Sequence, residues 1–293
     1  MQKLPNEVLI SGKAQNTAMK RAELALLGVT VFWGFTFPAM KVSLKYLPPV
    51  LFLAYRFGIA SLLMLLIFGR KALKRETLRE GFILGLTLFF GHGFQIVGLK
   101  YTTASNSAFI TSLYVVFTPF IAYFMLGERV TRRDLTSLVL AVIGLYLISG
   151  AGTSINYGDF LTLLCAISFA FQIVLVHKFG EKDYLSLTFW QLLWNFIFSS
   201  LFTLAFEEQV FPKEPLPWVG VLYTAVFATV IAFTVQLKYQ RYTKAQRAAL
   251  IYSSEPVFGS LAAYITLGET LSARGYLGAA LIMSGILNEV RKN

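Results

Sequence analysis

Few residues in this chain could do chemistry, and they sit in apolar surroundings. In "SSEPVFGSLAAYITLGET", residues 253–270, Glu255 directly precedes Pro256. Proline has no N–H to donate and its ring crowds the preceding turn, so carbonyls near residue 252 lose their usual partners. A carboxylate beside freed carbonyls suits an ammonium group or a proton, which makes Glu255 a candidate for substrate binding and for proton coupling. The competing reading is an internal pair made for packing. Arg56, in "AYRFG", reads first as structural, docked on a neighbouring helix or reaching toward the interface, and second as a holder of a substrate carboxylate. His92 and Gln95 are three apart and share a helical face, so His92 is a second candidate for proton coupling and both are candidates for binding. Gln236 is the counterpart of Gln95 in a repeat described below. Trp33, Phe37, Tyr114, Phe171, Gln172 and Tyr252 complete the residues expected to line a substrate cavity.

Other chemistries lack their parts. "GHGFQI" is no dinucleotide loop, and the chain carries no phosphate-binding Gly-Lys-Thr/Ser segment. Two distant histidines and one cysteine make no metal site, and Cys165, inside an apolar run, reads as a small buried hydrophobe. No enzyme activity, cofactor or metal is expected. Phosphorylated cargo would require several embedded cations, and Arg56 alone lies well inside an apolar run.

These residues need elements to hold them, and the composition says of what kind. The 293 residues are 56% hydrophobic and 14% charged, against about 25% charged in a soluble domain. A helix needs about 20 apolar residues to cross a bilayer. Such runs occur at about 22–41, 50–68, 81–99, 107–126, 134–150, 158–177, 187–206, 218–237, 248–267 and 273–289. An all-α polytopic membrane protein of ten spans is expected, with membrane lipids as its surroundings. The charge of +11 is spread over short loops, so it does not imply nucleic acid. With the N-terminus inside, Lys and Arg favour the inner segments roughly four to one. Both termini are therefore expected in the cytoplasm of a prokaryote, with the chain in its inner membrane. Residues 1–21, polar and basic without a cleavage pattern, are expected to be a cytoplasmic tail.

Sliding the sequence by 141 positions superposes one half on the other. Gln95 falls on Gln236, Tyr101-Thr102 on Tyr242-Thr243, Ser112 on Ser253, Leu126-Gly127-Glu128 on Leu267-Gly268-Glu269, and Gly144 on Gly285. Five spans per unit is an odd number, so the second unit enters the membrane inverted. The expected repeats are 22–150 and 151–290. Tyr114 stands where the second copy has Glu255. Pro119 lies deeper in its span than Pro256, so the two copies are expected to kink at different depths. Glu128 and Glu269 are expected to serve structurally, each at the start of the span that follows it.

The motifs "WGFTFPAMK", "AYRF", "FQIVGLKYTTASNSAFITSLYVVFTPF", the paired "LGER" and "LGET", and "YLGAALIMSGIL" together resemble the drug/metabolite transporter superfamily, specifically its EamA-type ten-helix permeases. The likeness spans residues 22–290. It implies a carrier, most often an exporter, of small metabolites such as amino acids and their derivatives, working by alternating access. The expectation is export of amino acids or related zwitterions. Alternatives are an importer, efflux of another cargo such as hydrophobic cations, or a polytopic enzyme acting on lipids. Proton coupling and oligomeric state stay open, although Gly and Ala in the fifth and tenth spans would permit close contact between helices.

Overall fold

The computed structural model describes residues 12–149, 156–267 and 272–290, and Glu269 lies outside them. Among the described residues every regular element is a helix. The first half holds α1 (Gly12–Gly34), α2 (Thr36–Ser43), α3 (Pro49–Phe68), α4 (Leu78–Tyr101), α5 (Ala104–Ser112), α6 (Tyr114–Leu126) and α7 (Arg132–Ser149). The second holds α8 (Tyr157–Lys178), α9 (Tyr184–Phe206), α10 (Pro215–Ala225), a π-turn (Val226–Ile231), α11 (Ala232–Tyr239), α12 (Ala245–Tyr252), α13 (Glu255–Leu267) and α14 (Ala273–Val290). Seven helical stretches are long and apolar enough to cross a membrane: Ala18–Ser43, Pro49–Ala72, Arg75–Tyr101, Asn106–Leu126, Tyr157–Lys178, Tyr184–Phe206 and Pro215–Tyr242. The other expected spans are helical as α7, α12 with α13, and α14. Charged residues shorten two of their apolar runs, since α7 opens on Arg132, Arg133 and Asp134 and α12 carries Arg247 near its start.

Local chemistry sets the helix starts. Asn156 and Asp159 form a reciprocal capping box on α8, Thr103 accepts the Asn106 N–H on α5, and Asp183 accepts the Ser186 N–H on α9. Pro49 and Pro215 occupy first-turn positions, where the missing N–H costs nothing. Large apolar side chains such as Leu66, Phe124 and Phe206 are exposed on the outside. In water that surface would be a liability; in a bilayer it is the favoured contact.

The halves pack reciprocally. α3 packs on α9, and α4 on α8, while α1 meets α11 and α2 meets α10. α7 lies against α14 so closely that a Cβ on Gly144 would sit 2.5 Å from the Gly278 carbonyl, and one on Gly285 2.8 Å from that of Ser137. Gly144 and Gly285, paired by the sequence shift, each open the contact for the other's helix. The small residues noted for helix contact are thus used within the chain.

Helix breaks place the interior side chains, and here one expectation is corrected. α5 gives way to α6 at Leu113, and α12 to α13 at Ser253–Ser254. Leu113 and Ser254 are 141 apart, so the two copies break at the same register. Pro256 is the second residue of α13, where its N–H would have had no helical acceptor, so it opens a helix instead of kinking one. Pro119 stays inside α6.

Candidate functional site

Between two buried apolar clusters lies a cavity with about 510 Å³ of atom-free space, counting the part open to the outside. One cluster contains Phe52, Phe57, Leu88 and Phe233, and the other Leu26, Tyr114, Val174 and Tyr252. The wall comes from both halves: Trp33, Thr36, Arg56, His92, Gln95 and Tyr114 from the first, Gln172, Gln236, Tyr252 and Glu255 from the second, with Leu88, Phe169, Ile173 and Phe233 filling between them.

Most residues singled out in the sequence therefore meet in one place. Phe37 does not. It is buried in the first apolar cluster, because α1 ends at Gly34 and the chain turns at Phe35 before α2, which shifts the face on which Trp33 stands. Thr36 takes that place in the wall, its hydroxyl donating to the Trp33 carbonyl. The end of α1 packs closely on α13 there, since a Cβ on Gly34 would sit 2.6 Å from the Gly259 nitrogen. Phe171 is 40% exposed and faces outward, whereas Phe169, two residues earlier, lines the cavity.

Arg56 is 2% exposed. Its Nε donates to Thr229 Oγ1 at 2.7 Å and its Nη2 to the Ala228 carbonyl at 3.5 Å, with the guanidinium carbon 5.2 Å from the centre of the Phe57 ring. Trp33 Nε1 donates to the same Ala228 carbonyl at 3.1 Å. Both acceptors lie in the π-turn Val226–Ile231, where the widened helix interrupts its own hydrogen-bond ladder and offers acceptors sideways. Nothing in the sequence marks this turn, since "VFATVI" has no proline or glycine; only its packing against α1 and α3 reveals it.

Glu255 opens α13, is 7% exposed and makes no hydrogen bond or ion pair among the described residues. Its polar neighbours in the wall are held by residues behind the wall. Gln95 Nε2 donates to Thr111 Oγ1 at 3.3 Å, Gln236 Nε2 to Gln240 Oε1 at 3.1 Å, and Tyr252 OH to the same Gln240 oxygen at 3.0 Å. Gln172 donates to Gln191 Oε1 at 3.0 Å and accepts from Thr87. His92 holds its Nδ1 3.0 Å from the Leu88 carbonyl and turns its ring edge-on to Phe57, Phe169 and Phe233. Among the described residues the Tyr114 hydroxyl and Gln236 Oε1 make no hydrogen bond of good geometry. Arg56 and Glu255 line one cavity without a salt bridge between them, so each retains capacity for a charged ligand. Chemically, this is a small apolar chamber with one cation, one carboxylate and several amides.

A further expectation is corrected. Glu128 does not serve the start of α7, where Asp134 and Thr131 bond one another's backbone N–H. Its Oε1 accepts the Ala245 N–H at the start of α12 and lies 3.7 Å from His177 Nε2, so it joins the halves at one end. Outside the spans, Lys74 Nζ meets Asp183 Oδ2 at 3.0 Å. The bond to Asp183 raises the Lys74 ammonium above its ordinary value. Burial pushes Asp183 up, but the Ser186 N–H and the Lys74 ammonium outweigh it and hold the carboxyl below its usual range.

The EamA-like transporter family matches residues 20–150 and again 156–288. A protein of Archaeoglobus fulgidus described as an uncharacterized transporter is 37% identical over 277 residues, covering 94% of this chain and 88% of its own length. A protein of Salmonella typhimurium described as a probable amino-acid metabolite efflux pump is 28% identical over 279 residues, covering 90% of this chain and 92% of its own. A crystal structure with 20% identity superposes with a TM-score of 0.77, covering 92% of this chain and 96% of that one, and so shares the fold.

Proposed function

Because the chain belongs to the EamA-like transporter family, matched twice along its length, we propose that it is a secondary transporter exporting amino acids or related zwitterions by alternating access. The observation that carries this reading is that Arg56 and Glu255, from opposite halves, line one cavity without a salt bridge between them. A zwitterion presents a carboxylate to the guanidinium and an ammonium to the carboxylate, while its side chain lies against Trp33, Phe169, Phe233 and Tyr252. A single embedded cation does not neutralise a phosphate group well, and a hydrophobic cation would face Arg56 as a like charge.

The architecture proposed with it is ten spans in two inverted five-helix repeats, with the boundaries 22–150 and 151–290 and both termini on the cytoplasmic side of a prokaryotic inner membrane. Its support is the common register of the breaks at Leu113 and Ser254 and the reciprocal glycines of α7 and α14. In such a frame the two halves exchange conformations and expose the cavity to each side in turn. Glu255 and His92 are the proposed proton-coupling groups.

Purified protein in proteoliposomes, offered a panel of amino acids, organic cations and sugar phosphates with and without a pH gradient, tests cargo and coupling together. Saturable movement of zwitterions, with cations and phosphates excluded, is expected. Movement of cations alone, or of nothing small, overturns the reading.

A further inference from the structure

Toward the end that the Lys and Arg distribution marks as cytoplasmic, the central cavity has a packed floor. Tyr252 OH and Gln236 Nε2 donate to Gln240 Oε1 at 3.0 and 3.1 Å, and Gln240 Nε2 donates to the Ile173 carbonyl at 2.6 Å. Gln240 and the α12 residues from Ala248 to Tyr252 are buried. Beyond this floor stands Glu128. Its Oε1 accepts the Ala245 N–H at 3.2 Å and lies 3.7 Å from His177 Nε2. His177 is one turn past Ile173 on α8, about 6 Å, and Ala245 is seven residues before Tyr252 on α12, about 10 Å. One carboxylate of the first half thus ties together two helix ends of the second. Both helices carry cavity wall: Phe169, Gln172 and Ile173 on α8, and Tyr252 on α12.

Local geometry commits Glu128 to this place. Gly127 adopts a left-handed backbone (φ 70°) that ends α6, and the Glu128 N–H turns back to the Ala122 carbonyl at 3.4 Å. Glu128 Oε2 is buried and makes no hydrogen bond among the described residues. The carboxylate has therefore given up much of its water, and its contacts with the second half offset that loss.

The repeat shows that a helix start need not be built this way. Under the 141-residue shift Thr103 and Ala104 fall on Lys244 and Ala245. α5 is capped by its own Thr103, whereas Lys244 gives α12 no side-chain cap and Glu128 takes the Ala245 N–H from the other half. Leu99 falls on Gln240, so the polar floor also belongs to one copy alone. Capping of α12 depends on the two halves meeting at this end.

We propose that Glu128 is the latch of the cytoplasmic gate, a positioning residue that holds α8 and α12 closed under the cavity and releases them when the site opens inward. The inference rests on the alternating-access reading, and the experiment separates the two.

The reporter is a thiol in the cavity wall, Ile173→Cys in a Cys165→Ala background, modified by a membrane-impermeant maleimide added to the cytoplasmic or the outer side of sealed vesicles holding the full chain. Glu128→Ala is expected to raise the cytoplasmic-side rate about tenfold, as loss of a hydrogen bond to a charged group would, and to lower the outer-side rate. Glu128→Gln, whose amide oxygen can still accept the Ala245 N–H, changes both rates in the same directions by less. A rise from both sides in Glu128→Ala is a loosened fold and overturns the latch. Unchanged rates, in a background labelled from each side, overturn the latch and leave alternating access standing. Labelling from one side alone, in the background and in both variants, overturns alternating access with it.

Discussion

The α5–α6 break and the α12–α13 break occupy the same register in their halves, and each delivers the first residue of its second helix to the central cavity, Tyr114 in one and Glu255 in the other. The backbone is duplicated; the chemistry is divided. A neutral hydroxyl stands opposite a carboxylate, and the cation that balances it, Arg56, comes from the half that holds the tyrosine. The division extends to the support. Arg56 rests on the π-turn at 226–231, whereas the equivalent residues 85–90 of α4 are regular α-helix. A symmetric fold can thus carry a polar, oriented site when its two copies contribute opposite charges.

The strongest way to break this comparison is to treat the mates alike. Glu255→Gln removes a charged partner worth about 1.5–3 kcal/mol, a loss of roughly tenfold to hundredfold in zwitterion affinity. Tyr114→Phe removes a neutral hydroxyl, worth roughly 0.5–1.5 kcal/mol, and so about tenfold at most. Equal effects in a binding assay would show that the asymmetry is not the basis of recognition.

Thr229→Val sharpens the role of the π-turn. It removes the acceptor of the Arg56 Nε bond and leaves a buried guanidinium donor unpaired, at about 1.5–3 kcal/mol. A fall in thermal stability is expected together with a raised KM for carboxylate-bearing cargo. A fall in stability with KM unchanged would limit the π-turn to packing.

Gly144→Ala and Gly285→Ala test the symmetric part. Each added methyl meets backbone oxygen across the α7–α14 contact, and overpacking of this kind costs about 1–3 kcal/mol. Similar losses in thermal midpoint are expected from both. A loss from only one would mean that the reciprocity is not energetic.

The smallest effect belongs to the loop pair Lys74–Asp183. Asp183 is held low, so its share of stability is present above its unfolded value of 3.8 and lost as pH falls through the lower folded value. Lys74 is held high, so its share is lost as pH rises above 10.5 toward the folded value. The difference in thermal midpoint between wild type and Lys74→Met is expected to exist between those limits and to fade outside them. A difference constant across pH would mean that packing, not the ion pair, is responsible.

Much of the site was legible in the sequence because embedded polar groups are expensive in a bilayer and few in number. Glu255, His92, Gln95, Gln172 and Gln236 stand out against their apolar neighbours for that reason, and their convergence follows from spans that must pack on one another. Phe37, Phe169 and Phe171 were not separable that way. Aromatic rings are welcome in the core, in the cavity wall and against lipid alike, so only the turn at Phe35 and the orientation of α8 decide which face each takes. The expectation of unequal kinks failed because proline was read as the cause of the break. At the second position of α13 it is merely compatible with a helix start.

Arg56 was visible as the lone embedded cation, but its anchorage on Ala228 and Thr229 was not, since these residues are 172 and 173 positions away. The amino-acid sequence by itself determined the membrane character, the duplication and the small set of polar residues, because these depend on composition and periodicity along the chain. The tertiary structure alone decided that Arg56 and Glu255 share one cavity without pairing, and that a π-turn holds the first of them. Those facts depend on distances between segments far apart in the chain, which only packing sets.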